Sequence, residues 1–179
     1  IWWMLRAVGF DRASILDGGF NQWQKKNLPT SKGNLNFSKS DFIFSPRNNI
    51  FVNKDMVLEA IDNPKFIILN SLTADIHNGK NPRYGRPGRI PTSLNIPFHE
   101  LLDGQTGKFK KFDELLKIFQ VNNISNDSCV LNYCGGGIAA STTAMFLVLF
   151  GHPHVSLYDA SLSEWAIDPS LPMVTDSTG

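Results

Sequence analysis

The chain lacks most of the features that mark specialised protein classes. Among its 179 residues there are only two cysteines, Cys129 and Cys134. On one extended strand these would stand about 16 Å apart, taking roughly 3.3 Å per residue, which is beyond disulfide reach. A disulfide scaffold is therefore excluded, and a reduced, cytoplasmic setting is the expectation. Excess charge of one sign is missing too. Seventeen Lys and Arg against sixteen Asp and Glu leave a formal net charge of +1, which gives neither nucleic acid nor an anionic membrane a reason to bind. No apolar run is long enough to cross a bilayer, because the strongest, residues 144–150, stops at Gly151-His152-Pro153. The four histidines form no ligand cluster: His152 and His154 flank a proline, and His77 and His99 have no ligating neighbours in sequence. No metal and no cofactor are expected.

The residues that are present describe an α/β protein. Residues 1–8 are apolar and stop at Gly9, as a helix with a glycine C-cap does. Residues 13–16 suit a short buried strand, Asp17-Gly18-Gly19 a turn, and residues 20–26 a short helix. Residues 31–49 are polar and broken by Ser, Asn, Gly and Pro, which makes them a linker between units. A second unit, residues 50–175, opens with Asn53 as N-cap of a helix through Met56, Val57, Ala60 and Ile61. Strands are expected at 65–70, 93–96, 128–133 and 155–158, with helices at 112–120 and 139–150. Strands alternating with helices imply a mainly parallel sheet.

The two ends of the chain resemble each other at an offset of 142 residues. Leu16-Asp17-Gly18-Gly19-Phe20-Asn21-Gln22-Trp23 aligns with Tyr158-Asp159-Ala160-Ser161-Leu162-Ser163-Glu164-Trp165, and Gly9 aligns with Gly151. Leu28-Pro29 matches Leu171-Pro172 with one residue of slip. Residues 1–30 are accordingly expected to be the tail of a preceding, related domain. The same offset places the counterpart of Cys134 just before the first residue.

The candidate site is Tyr133-Cys134-Gly135-Gly136-Gly137-Ile138-Ala139, a strand end, a thiol, a glycine turn and a helix start. Backbone N–H groups at a helix start favour a thiolate over a thiol, which equips Cys134 as a sulfur nucleophile. Two other chemistries compete for the same loop. Gly135 to Ala140 satisfies G-x-G-x-x-A, and Asp159 lies where a ribose-binding acid would stand. Yet too little chain follows for a doubly wound sheet, and the internal repeat already accounts for an Asp at 159. A cysteine phosphatase loop, C-x5-R, would need an arginine near Ser141, and residues 135–141 hold neither Arg nor Lys.

Taken together, YCGGGIAAS, GRIPTSLNIP upstream and LYDASLSEW downstream resemble the rhodanese sulfurtransferase family, whose members often carry two similar domains in tandem with the active cysteine in the second. The resemblance implies a rhodanese-like fold with a mainly parallel five-stranded sheet flanked by helices. It also implies that Cys134 takes the outer sulfur of a small anionic donor, thiosulfate or 3-mercaptopyruvate, as a persulfide. A thiol or cyanide would then accept that sulfur. The N–H groups of Gly135, Gly136, Gly137, Ile138 and Ala139 would stabilise the sulfur's charge. Three departures bear on the donor. The loop carries no basic residue, Gly136 stands where mercaptopyruvate-using members have Ser or Thr, and Asn70-Ser71-Leu72 replaces the family's Asp-Ala/Ser-Arg. Arg83, Arg86 and Arg89 are the nearest cations in sequence that could guide an anion. A non-catalytic binding or sulfur-relay module of the same family is the competing function.

Overall fold

The computed structural model describes residues 1–124 and 127–176. Four strands, β1 (Phe66–Asn70), β2 (Leu94–Asn95), β3 (Cys129–Tyr133) and β4 (Val155–Leu157), form a parallel sheet in the order β2-β1-β3-β4. FIILN and CVLNY are nearly unbroken apolar runs, as strands covered on both faces should be. All five residues of β3 pair with β1, so β3 is central and its C-terminal end is held from both sides.

The expected fifth strand is corrected to a single bridge, Phe51 with Leu157. It is closed by Val52 N–H donating to the Leu157 carbonyl (3.0 Å) and Leu157 N–H donating to that of Ile50 (2.9 Å). The cause is local. Asn53 ends the extended run by capping α3 (Lys54–Ile61), its side chain accepting the Met56 N–H at 3.1 Å.

Helices α4 (Ala74–His77), α5 (Phe112–Gln120), α6 (Ile138–Leu149) and α7 (Ser161–Trp165) follow, with a 3-10 turn at Phe98–Leu101. Helix α6 packs on β3 and β4, and α3 on β1. Helix α6 buries Ala140, Thr143, Ala144, Met145, Phe146 and Leu147, so its middle is fixed by the core while its end residues Ile138 and Leu149 are exposed.

The N-terminal region carries α1 (Trp2–Ala7) and α2 (Gly19–Lys25). It is tied to the sheet unit by the buried Trp3 indole, which donates to the Ile50 carbonyl (3.2 Å), and by Phe109 N–H donating to Asp17 (2.8 Å).

The stop of α1 repeats that of α6 bond for bond. Gly9 N–H reaches Arg6 O and Phe10 N–H reaches Leu5 O, while Gly151 N–H reaches Val148 O and His152 N–H reaches Leu147 O. Both glycines adopt the left-handed conformation this stop requires, at φ +86° and +85°. The Trp23 indole donates to Pro29 O and the Trp165 indole to Pro172 O, with the same one-residue slip as the sequence.

Residues 13–16 are not a strand, contrary to expectation, and Ile15 and Leu16 are about half exposed. Their counterpart β4 is made extended by pairing with β3, and among the described residues no neighbour plays that part at 13–16.

Candidate active site

The chain leaves β1 toward β2 on one side and later returns to place β3 on the other. In a parallel sheet that reversal opens a crevice beyond the strand ends, between the loops following β1 and β3. A cavity of about 590 Å³ lies there, lined by Leu72, Thr73 and Ile76 after β1 and by Cys134, Gly135 and Gly136 after β3. Arg83, Tyr84, Phe98, Leu102 and Phe109 add to the wall, as do Asn81 and, from α6, Ile138, Ala139 and Thr142. Cys134 is buried, with 2 % of its surface exposed, and lies directly after the central strand.

The loop is oriented by its carbonyls. The Cys134 carbonyl accepts the Leu162 N–H (3.1 Å), and the Gly135 carbonyl accepts the Ser163 N–H (2.9 Å) and also its hydroxyl. In a planar trans peptide the N–H points opposite to the C=O. The N–H groups of Gly135 and Gly136 therefore face away from α7. Gly137 caps α6 at φ +77°, and the first N–H groups of α6 have no carbonyl within the helix to receive them. A Cβ at Gly137 would lie 3.0 Å from both Cα and O of Asp159, so only glycine fits this approach. Ser161, itself at φ +53° and fully buried, accepts the Cys134 N–H (3.0 Å) while donating to the Tyr158 carbonyl (2.7 Å).

The opposite wall is held by buried polar contacts. Asn70 accepts the Leu72 N–H (2.9 Å) and its amide meets His77 Nδ1 (3.1 Å). Burial, then the neighbouring Arg89 charge, push the His77 imidazole down to about 4, with Asp176 opposing, so it is neutral near pH 7. Ser71 and Thr143 join hydroxyls at 2.6 Å, which links the end of β1 to α6. The Tyr133 hydroxyl accepts the Ile90 N–H (3.2 Å) and meets Ser93 Oγ at 2.9 Å. Burial raises the Tyr133 phenol far above its ordinary value, so it is a structural hydroxyl.

The three candidate arginines separate. Only Arg83 lines the cavity; it is exposed, and its guanidinium stands 5.7 Å from the Tyr84 ring centroid. Arg86 donates to the carbonyls of Trp165, Ala166, Asp168 and Leu171, binding the chain's last segment. Arg89 pairs with Asp176 (2.7 Å) and donates to the His77 carbonyl. Cys129 is half-buried at the start of β3, and both thiols are free.

Sequence reasoning passed over Ser161, Ser163, Tyr84 and Phe109. The two serines sit in a motif visible through the repeat, but Tyr84 and Phe109 lie in irregular segments whose pattern names no face.

The rhodanese-like domain model matches residues 55–168. The chain belongs to the rhodanese-like domain family. It is 34% identical over 168 residues to the 3-mercaptopyruvate sulfurtransferase of Rattus norvegicus, covering 92% of this chain and 56% of that protein. It is 35% identical over 177 residues to the enzyme of the same name from Escherichia coli K12, covering 96% of this chain and 62% of that one. The chain thus spans less than two thirds of the length of these relatives. Among solved structures, the Tum1 protein of Saccharomyces cerevisiae superposes with a TM-score of 0.80 at 21% identity, over 97% of this chain and 64% of the other. That likeness concerns the fold. No helix among the described residues is long and apolar enough to cross a membrane.

Proposed function

We propose that this chain is a sulfurtransferase unit in which Cys134 carries the transferred sulfur as a persulfide. The observation that carries the reading is the position of Cys134, buried at the C-terminal end of the central strand. It lies in a cavity beside loop N–H groups that Leu162 and Ser163 turn away from α7. In the first half-reaction the Cys134 thiolate attacks the outer sulfur of a small anionic donor of the thiosulfate or 3-mercaptopyruvate type. A sulfur–sulfur bond to Cys134 forms, and the donor's bond to that sulfur breaks with its electron pair leaving on the remainder. In the second, cyanide or a thiol takes the outer sulfur and the thiolate returns. Charge on sulfur is met in both halves by the N–H groups of Gly135, Gly136, Gly137, Ile138 and Ala139, which need not reorient when the charge moves. Arg83 is the cation placed to draw an anion to the mouth.

The matching stops of α1 and α6 and the matching indole bonds support a tandem arrangement. In it residues 1–30 end a preceding domain of this kind, 31–49 link, and 50–175 form the catalytic domain.

The test is sulfur transfer to cyanide with thiosulfate and with 3-mercaptopyruvate, on the parent and on Cys134→Ser. Mass spectrometry after donor alone should show the parent heavier by one sulfur atom and the variant unchanged. Equal turnover by Cys134→Ser would refute the mechanism. A parent that forms no persulfide and turns over no donor would favour a binding or relay module.

A further inference from the structure

A second cavity, of about 490 Å³, lies at the end of the sheet opposite to Cys134. Cys129 opens β3 and lines this cavity, whereas Cys134 follows the last residue of that strand, so roughly 16 Å of extended chain separates the two sites. Phe66 pairs with Cys129, and Leu131 pairs with Ser156. Alternate strand residues share a face, which puts these four side chains on one face of the sheet as the cavity floor. The Ser156 hydroxyl is already engaged, donating to the Asn49 carbonyl (2.6 Å), and the rest of that floor is apolar. Met56 of α3 closes one side. The rim is cationic. Arg6 of α1 and Arg47 both line the cavity, and they share the Asp11 carboxylate. Arg47 binds both oxygens of that carboxylate and also donates to the Arg6 carbonyl (3.1 Å). Arg6 is left over: its Nη1 stands 3.6 Å from Asp11, beyond hydrogen-bonding distance, and its Nε meets no acceptor among the described residues. Burial, then the Arg47 charge, lowers the Arg6 pKa, and Asp11 opposes them. Two guanidiniums against one carboxylate leave one positive charge uncompensated above an apolar floor.

We propose that this cavity is a second ligand site, one that takes an organic monocarboxylate with a compact apolar body. The body lies on Phe66, Leu131 and Met56, and the carboxylate meets the Arg6 guanidinium at the rim. The volume falls within the range of about 300–1,000 Å³ in which pockets enclose whole small ligands between apolar walls and a few placed polar groups. One uncompensated cation selects a single negative charge, since a dianion would carry its second charge into apolar surroundings at a desolvation cost. A planar guanidinium matches the two oxygens of a carboxylate better than it matches a neutral acceptor. The ligand touches α1 on one side and β1, β3 and β4 on the other, so it ties the N-terminal region to the sheet. The site does not depend on the chemistry of Cys134.

The test uses 3-phenylpropionate as the probe and Cys129 as the reporter. In Cys134→Ser the full chain keeps a single thiol, Cys129, whose alkylation by iodoacetamide is followed by mass spectrometry. Where that variant does not fold, peptide mapping of the alkylated parent reads Cys129 separately. Saturating 3-phenylpropionate should slow alkylation of Cys129 severalfold, with half the effect at roughly 0.1–1 mM, the weak affinity expected of so small a ligand. 3-Phenylpropionamide has the body without the charge, and acetate has the charge without the body. Each should need a concentration about tenfold higher or more for the same protection. Arg6→Gln should weaken 3-phenylpropionate about tenfold, while Arg83→Ala, which alters the other cavity, should leave it unchanged. The amide comparison carries the same information where Arg6→Gln does not fold. Lack of protection up to about 10 mM, equal protection by the amide or by acetate, an affinity indifferent to Arg6→Gln, or one lost in Arg83→Ala would overturn the proposal.

Discussion

A methyl group added at Gly135 would occupy the Tyr84 ring, and this predicts a specific energetic coupling between two residues fifty-one positions apart. An ideal Cβ at Gly135 lies 2.1 Å from Tyr84 Oη, 2.2 Å from Cζ and 2.4 Å from Cε1. Ordinary carbon contacts are about 3.5–4 Å, so the ring must leave. Gly135 is not in the left-handed region, so steric overlap is the whole effect. The atoms met are the far end of a half-buried side chain that can swing, which places the cost at about 1–2 kcal/mol, the lower part of the overpacking range. In urea that corresponds to a midpoint shift of roughly 0.5–1 M, for a slope of about 2 kcal/mol per M. In a Tyr84→Ala background the obstacle is gone, and Gly135→Ala should cost under about 0.5 kcal/mol, a coupling well above ordinary additivity error. Gly137→Ala is the internal control. Its Cβ would meet Asp159 backbone atoms at 3.0 Å, and its φ of +77° disfavours any side chain, so about 2–3 kcal/mol is lost. Tyr84→Ala should not rescue it. Equal costs for Gly135→Ala in both backgrounds would refute the packing argument.

Other perturbations separate structural from functional groups. Ser161→Ala removes the acceptor of the buried Cys134 N–H and should cost about 1–3 kcal/mol by chemical denaturation, with turnover reduced in the folded fraction. Arg86→Lys should destabilise by roughly 2–4 kcal/mol, because an ammonium cannot reproduce a fork shared among four carbonyls. Arg83→Ala should stay within about 0.5 kcal/mol of the parent in stability while raising KM for anionic donors severalfold. His77 is held neutral, with its folded value near 4 against an ordinary 6.5, so the unfolded chain binds the extra proton between those values. Its contribution is fully present above about pH 6.5 and is lost as pH falls toward 4. The full shift would be worth about 3 kcal/mol, and solvent screening brings the expectation to about 1–2 kcal/mol. Melting temperature against pH should therefore fall less steeply below pH 6.5 in His77→Gln than in the parent, and parallel curves would refute the assignment.

The site was legible where chemistry and secondary structure coincide along the chain. Cys134 closes a five-residue apolar strand and opens a glycine turn, and strand, thiol and helix start are all local signals. The repeat was legible for the same reason: a helix stop and an indole–carbonyl bond each span only a few residues, so two copies keep the same spacing. What stayed hidden is set by distant partners. Residues 13–16 carry strand composition, but extension depends on a neighbour that composition does not supply. The run at 50–52 fails to become a full strand because Asn53 turns the chain into α3. Arg83, Arg86 and Arg89 share one short segment, yet their roles diverge. The segment winds so that Arg86 faces the four carbonyls of 165–171, Arg89 faces Asp176, and Arg83 alone meets the cavity. Cationic residues within seven positions of one another thus give no measure of the charge a ligand meets. That charge follows from which guanidiniums the backbone has already engaged, and of these three it leaves Arg83 alone at the cavity.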